Sequence, residues 1–91
     1  MKTIKVQNMQ SPNGNDVPNQ FEIFTPDGVY FQSYSTIIAF KPYGDNKIRL
    51  DADSWDYSRT TGKYRNIFLR EIKKETERKI ADGTYQLVDL N

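Results

Sequence analysis

The chain has 91 residues and a formal net charge of +1, with 13 Lys or Arg against 12 Asp or Glu, and 13% of its residues are aromatic. It contains neither cysteine nor histidine, which excludes disulfide frameworks, thiolate zinc sites, cysteine nucleophiles and histidine general bases. The remaining candidates for catalysis are Asp, Glu, Lys, Arg, Tyr and Ser, and no pair among them has a compelling spacing. We therefore predict a protein that is not an enzyme and that needs no cofactor.

The length of the chain fits a single domain, residues 1–91. Its first residues, MKTIKV, are not followed by the apolar segment of about 7–15 residues that a signal peptide needs. No stretch approaches the roughly 18 apolar residues of a membrane helix. These features predict a cytoplasmic protein without a membrane partner.

The first third of the chain predicts strands. Apolar and polar residues alternate over 2–8, as in a short strand. Residues 9–19, MQSPNGNDVPN, are rich in Pro, Gly, Asn and Asp and predict a long polar loop. Residues 21–24 and 29–34 flank the sequence TPDG, which is typical of the turn that closes a hairpin.

A second hairpin follows. Residues 36–40 are β-branched and apolar, and residues 47–51 alternate, so both stretches predict strands. The sequence between them, PYGDN at 42–46, has the composition of a turn. Together the two hairpins predict a meander of about four strands.

A helix and a final strand complete the prediction. Tyr64, Phe68, Ile72 and Thr76 recur every four residues, the spacing of an amphipathic helix. We expect one long helix over residues 60–82, stopped by Gly83, and a last strand over residues 84–90. The predicted fold class is α+β: an antiparallel β-meander of about 4–6 strands with one long amphipathic helix packed on one face. The other face of the sheet is expected to stay open to water and to carry Tyr and polar residues.

The stretch WDYSRTTGKYRN, residues 55–66, is the strongest functional candidate because it lies where the helix is expected to begin. A helix N-terminus has free N–H groups and a partial positive charge, and nearby cations turn it into a site for phosphate or carboxylate. Hydroxyl side chains would cap the helix or assist binding, and aromatic rings would stack on a base or a ligand ring. The predicted binding residues are Tyr34, Trp55, Tyr57, Ser58, Arg59, Thr60, Thr61, Lys63 and Arg65.

A purely structural interpretation of the same stretch remains open. Trp55 and Tyr64 would then belong to the core, one hydroxyl would be the N-cap, and the cations would be solvated. Residues 58–79 hold eight Lys or Arg against three Glu, which equally fits an exposed helix with many ion pairs. Residues 31–36, FQSYST, also allow two interpretations. They form either a β-bulge or edge, or a hydrogen-bonding surface next to residues 55–66.

Two known motifs are excluded. The sequence DADSWD at 51–56 resembles the start of a calcium loop, but position 5 is Trp55 and position 12 is Gly62. We therefore predict no metal site, and we expect Asp56 to cap a turn or to pair with Arg59 or Lys63. The fragment Gly62-Lys63 is not a phosphate-binding P-loop, because Tyr57 replaces the required first glycine.

Several short motifs resemble a family of small proteins encoded by tailed bacteriophages. They are NQF at 19–21, YFQSY at 30–34, and WDYS, TTGKYRN and FL between residues 55 and 69. The resemblance extends from about Pro18 to Leu69, and residues 55–66 are its most specific part. The family has no known function, so the resemblance implies expression in the cytoplasm of an infected bacterium and no mechanism.

Three functions follow as hypotheses. The first is a non-enzymatic binding protein that recognises a nucleic acid or a nucleotide-like ligand through Arg59, Lys63 and Arg65. The second is a protein–protein inhibitor of a host enzyme or of an antiviral defence system, with Tyr-rich patches as hot spots. The third is an oligomeric structural phage component, in which an open sheet edge such as residues 84–90 pairs between copies.

Overall fold

The structure is a computed structural model and describes residues 3–44 and 47–91. Asp45 and Asn46 of the predicted turn at 42–46 lie outside the described residues, as do Met1 and Lys2. The elements, in chain order, are β1 (Lys5–Gln10), β2 (Asp16–Thr25), β3 (Gly28–Ser33), β4 (Thr36–Pro42), β5 (Arg49–Asp51), α1 (Arg59–Leu69), α2 (Lys73–Ala81) and β6 (Gln86–Val88).

The six strands form one sheet in the order β1-β2-β3-β4-β5-β6. The first five strands pair antiparallel with their neighbours, which confirms the predicted meander. Strand β6 pairs with β5 in parallel, after the chain has passed through both helices. The fold is therefore α+β with a mostly antiparallel sheet.

The predicted polar loop at residues 9–19 is a tight hairpin. Strand β1 runs to Gln10 and β2 begins at Asp16. The turn between them is closed by the N–H of Ser11, which donates to the carbonyl of Asn15 at 2.8 Å. Polar residues suit both a loop and an exposed hairpin, so composition alone could not separate the two. The irregularity lies within β2, where Asn19 has a φ of 66° and the register with β1 shifts.

The predicted TPDG turn is confirmed. Thr25 pairs with Gly28, so Pro26 and Asp27 form a two-residue turn between β2 and β3. The Thr25 hydroxyl oxygen accepts from the N–H groups of Asp27 and Gly28, both at 3.2 Å. Gly28 is required because β4 approaches closely: a Cβ there would lie 2.7 Å from the Cα of Pro42.

The predicted single long helix over 60–82 is wrong, because the chain forms two short helices separated by a break. Arg70 adopts the left-handed conformation with φ 58° and ψ 46°, and it ends α1. Its N–H and that of Glu71 bond back to the carbonyls of Ile67 and Asn66, as in a Schellman-type C-cap. The four-residue apolar repeat continues across the break, so the sequence pattern does not reveal it. Strand β6 is also shorter than the predicted 84–90.

The helices pack on one face of the sheet around a single core cluster. Phe68 of α1 lies 5.6 Å from Phe31 of β3, measured between ring centroids. Ile80 of α2 packs against the same cluster. The buried members are Met9, Phe31, Ile38, Ala39, Leu50, Tyr64, Phe68, Leu69 and Tyr85.

The opposite face of the sheet, which we name the open face, is more apolar than expected. It carries two rows of residues aligned across the strands: Val6, Ile23, Tyr30, Phe40, Arg49 and Gln86, and beside them Asn8, Phe21, Gln32 and Ile37. None of these ten residues belongs to the core cluster or packs against it. Phe40 is nonetheless only 4% exposed, because its ring stacks on Tyr30 at 4.3 Å and lies under Arg49.

Candidate functional site

Helix α1 begins at a serine cap. The backbone of Ser58 is extended, and its hydroxyl oxygen accepts from the N–H of Thr61 at 3.1 Å. Thr61 is fully buried, and its hydroxyl is hydrogen-bonded to Ser33 of β3 at 3.0 Å. Of the three predicted hydroxyls, Ser58 is therefore the cap, and Thr61 fastens the helix start to the sheet.

Trp55 and Tyr64 have the structural roles that the second interpretation assigned to them. Tyr64 is buried in the core cluster, and Trp55 is half-buried against it. The Trp55 ring faces the Arg65 guanidinium at 5.1 Å, a cation–π contact. One contact of the Trp55 ring is therefore made within the protein, to Arg65.

Arg65, which was predicted as one of the three binding cations, is buried. Its side chain is 1% exposed, because residue 65 lies on the face of α1 that packs on the core. Its Nη1 donates to the Trp55 carbonyl at 2.8 Å and to the Asp56 carboxylate at 3.0 Å. Its Nη2 donates to the side-chain oxygen of Asn66 at 3.0 Å. Arg65 thus contributes positive charge from a fixed position.

Asp56 joins two cations. It pairs with Arg65 at 3.0 Å and with Lys73 at 2.7 Å, so the predicted pairing with Arg59 or Lys63 is wrong. Burial acts to raise the pKa of Asp56, but the hydrogen bonds from Lys73 and Arg65 outweigh it and hold that pKa below its ordinary value. The carboxylate is therefore ionised at neutral pH. Lys73 was missed from the sequence because it follows the unpredicted helix break.

Arg59 and Lys63 are the two exposed cations at the helix start. They lie one helical turn apart, which places them on the same side of α1. Neither forms an ion pair within the described residues. Lys63 lies 5.4 Å from the ring of Tyr64.

A groove of about 540 Å³ opens beside this helix start, and we name it the α1 groove. Four cations and one carboxylate line it, and the first turn of α1 contains no acidic residue. The N–H groups of Arg59 and Thr60 have no acceptor among the described residues, as expected for the first positions of a helix. The lining residues are Asp56, Ser58, Arg59, Gly62, Lys63, Arg65, Asn66 and Lys73.

Gly62 forms part of the floor of the α1 groove. It occupies the interior of a helix, where glycine costs roughly 0.5–1 kcal/mol relative to alanine. A Cβ at this position would meet Asp56 and Arg65 at 3.7 Å, an ordinary contact distance. Neither the backbone nor the packing therefore requires glycine here, and its effect is to leave the groove open.

The remaining predicted residues lie outside the groove lining. Tyr57 and Tyr34 are 71% and 56% exposed, and Thr60 is exposed on α1. Tyr34 has a φ of 55°, a conformation that is unfavourable for a bulky residue. It follows Ser33, whose hydroxyl bonds Thr61, so the exposed Tyr34 lies near the start of α1. Residues 31–36 thus make a hydrogen-bonded contact with α1 through Ser33, and the register shift opposite Phe31 and Gln32 leaves Ile38 of β4 as the unpaired residue.

The sequence profile of one protein family matches residues 4–83, most of the chain. The chain belongs to this family, the family of unknown function DUF8033. The matched segment includes every residue of the α1 groove. No curated protein and no solved structure shows significant similarity to the chain.

Further observations concern metals and membranes. In this DUF8033 protein, no three Asp or Glu side chains within residues 3–44 and 47–91 are grouped as metal ligands. The Asp51 carboxylate of the rejected calcium motif instead accepts from the N–H of Leu90 at 2.9 Å. No helix in the described part of the chain has both the length and the apolar character needed to cross a membrane.

Proposed function

We propose that this protein is a non-enzymatic binding module that takes an anionic partner, a single-stranded nucleic acid or a nucleotide-like ligand, in the α1 groove. The observation that supports the proposal is the excess of positive charge in this groove at a helix start that has no acidic residue. Such charge opposes the helix dipole, so a bound anion would relieve a local cost.

Each groove residue has a distinct role in this proposal. Arg59 and Lys63 are exposed and pair with a phosphate, and the N–H groups of Arg59 and Thr60 donate to its oxygens. The fixed group of Asp56, Arg65 and Lys73 carries one net positive charge and forms the wall of the groove. Tyr34 and Tyr57 supply rings for stacking a base beside the groove.

Fluorescence polarisation with labelled single-stranded DNA and RNA tests the proposal. We expect the Arg59→Ala/Lys63→Ala variant to lose at least about tenfold in affinity, and the slope of log K against log salt to fall by about 1.4 for two lost phosphate contacts. The Lys5→Ala/Lys74→Ala variant removes the same charge at exposed positions that do not line the groove, and it should bind as the wild type does.

Two results would contradict nucleic-acid binding. One is an affinity that does not change between about 50 and 300 mM salt. The other is a groove variant and a control variant that lose the same affinity, since this would mean that net charge alone is responsible. Nucleotides are tested in the same assay as unlabelled competitors, which separates a nucleotide site from a strand-binding surface.

A second candidate function is protein–protein inhibition of a host enzyme or of an antiviral defence system. The exposed side chains of Tyr34 and Tyr57 favour it, because tyrosine is enriched at hot spots of protein interfaces. The motif resemblance to tailed-bacteriophage proteins implies that such an inhibitor would act in the cytoplasm of an infected bacterium. A specific protein that stays bound to the tagged chain after nuclease treatment, and is lost with Tyr34→Ala/Tyr57→Ala, would favour inhibition over nucleic-acid binding.

A further inference from the structure

The open face lacks a covering layer within the described residues. Both helices pack on the opposite side of the sheet, around Phe31 and the rest of the core cluster. Val6 of the open face is 57% exposed, although it aligns with Ile23 and, across the sheet, with Tyr30. A sheet face that is apolar and uncovered is typical of an interaction surface.

The size of the open face fits a small interface between two proteins. Six strands at about 4.8 Å spacing span roughly 24 Å, and the longer strands extend about 20 Å. Since β5 and β6 have only three residues each, the face covers roughly 400 Å² in projection. Two such faces in contact bury roughly 800–1,000 Å², which is below the roughly 1,200–2,000 Å² of stable interfaces and in the range of weak, transient ones.

The charges of the open face favour a second copy of the same chain. Among the ten residues of its two rows, Arg49 is the only charged one. Asp27 lies near it, since both line a groove of about 450 Å³ at one end of the face, together with Tyr30 and Tyr43. A two-fold axis through this end sets Arg49 of each copy against Asp27 of the other, so the face is complementary to itself.

We propose that the open face is the interface of a homodimer, in which two sheets pack face to face with the helices outside. The arrangement has four layers, helix–sheet–sheet–helix, and leaves both α1 grooves on the outer surface. Because the buried area is small, the dimer is weak and forms at micromolar or higher concentrations.

Sedimentation velocity between about 5 and 500 µM chain tests the proposal. We expect the wild type to shift from monomer to dimer over this range. Val6→Glu on β1 and Tyr30→Glu on β3 each place a charge in the interface and should raise the dissociation constant at least tenfold. Ile67→Glu makes a comparable change at an exposed apolar residue of α1, and it should dimerise as the wild type does.

Circular dichroism tests whether each variant is folded. If Tyr30→Glu is not folded, Arg49→Glu, which lies in the same row of the open face, replaces it. A wild type that stays monomeric at every concentration would overturn the proposal. A dimer that resists Tyr30→Glu or Arg49→Glu would also overturn it, because it would point to pairing through the β1 edge. Equal loss with Ile67→Glu would place the interface on the helical side.

Discussion

At the scale of single residues, charge and chemistry were readable from the sequence, but side-chain direction was not. Arg59, Lys63 and Arg65 look equivalent in the sequence, yet two are exposed, while Arg65 is buried and pairs with the more exposed Asp56. The difference depends on the phase of the helix, which is fixed by the cap. The spacing of Arg65 from Thr61 and Leu69 at four-residue intervals was the available signal for its burial.

Gly62 is predicted to affect both stability and binding. We expect Gly62→Ala to stabilise the fold by roughly 0.5–1 kcal/mol, because alanine is favoured in a helix interior and the added Cβ finds an ordinary contact distance. The same Cβ enters the α1 groove, so affinity for single-stranded nucleic acid should fall severalfold. Urea unfolding and fluorescence polarisation measure the two effects.

The opposite signs of these effects make the test specific. A variant that is more stable and binds as well as the wild type would show that no ligand reaches the floor of the groove. A destabilised variant would show that Gly62 is required for folding, contrary to the contact distances.

At the scale of elements, hairpins with strong turn sequences were predictable, while the break between α1 and α2 was not. The TPDG turn is encoded in four adjacent residues. The break depends on Arg70, a residue type that gives no sign of a left-handed conformation. Ile72, which one long helix would bury, is exposed, so the apolar repeat does not continue as the buried face of a single helix.

The substitution Arg70→Gly tests the role of the break between α1 and α2. Glycine adopts a φ of 58° without the steric cost of a side chain, so we expect the variant to gain about 1 kcal/mol in free energy of unfolding. Chemical denaturation measures the change. Glu77→Gly is the matched control in the interior of α2, where the substitution should cost roughly 0.5–1 kcal/mol. A loss of stability with Arg70→Gly would mean that contacts of the Arg70 side chain stabilise the fold by more than its left-handed backbone conformation destabilises it.

At the scale of the whole molecule, the local meander was predictable and the long-range arrangement was not. The parallel pairing of β6 with β5 depends on how two helices return the chain to the sheet. One cluster holds this return in place: the Glu71 carboxylate accepts from Thr76, Lys79 and Tyr85 at 2.6, 2.7 and 2.8 Å. It joins the helix break, α2 and the segment before β6, and no spacing in the sequence indicated it.

The Glu71 cluster makes stability depend on pH. Burial acts to raise the pKa of Glu71, but the hydrogen bonds from Lys79, Thr76 and Tyr85 outweigh it and lower that pKa from 4.5. The folded protein thus holds this proton less tightly than the unfolded chain does, so the contribution is present above pH 4.5 and is lost as the pH falls through the folded value. We expect Glu71→Gln to cost about 1–3 kcal/mol at neutral pH and much less in acid.

Urea unfolding of both proteins at pH 7 and at a pH below 4 measures this dependence. Glu77→Gln, at an exposed carboxylate of α2, should change stability little at either pH. A Glu71→Gln cost that is the same at both pH values would show that the cluster is held by shape and not by the ionised carboxylate.

The parallel β6 also has a consequence for the order of folding. Each hairpin of the meander closes a short loop. By contrast, Leu87 pairs with Leu50, and the Asn91 side chain bonds to the backbone of Ile37, which is 54 residues away in the chain. The entropy of loop closure grows with separation, so contacts of this kind form after the local ones. Segment 86–91 is therefore the last part of the molecule to close, and its opening would expose the β5 edge while the five-stranded antiparallel meander stays intact.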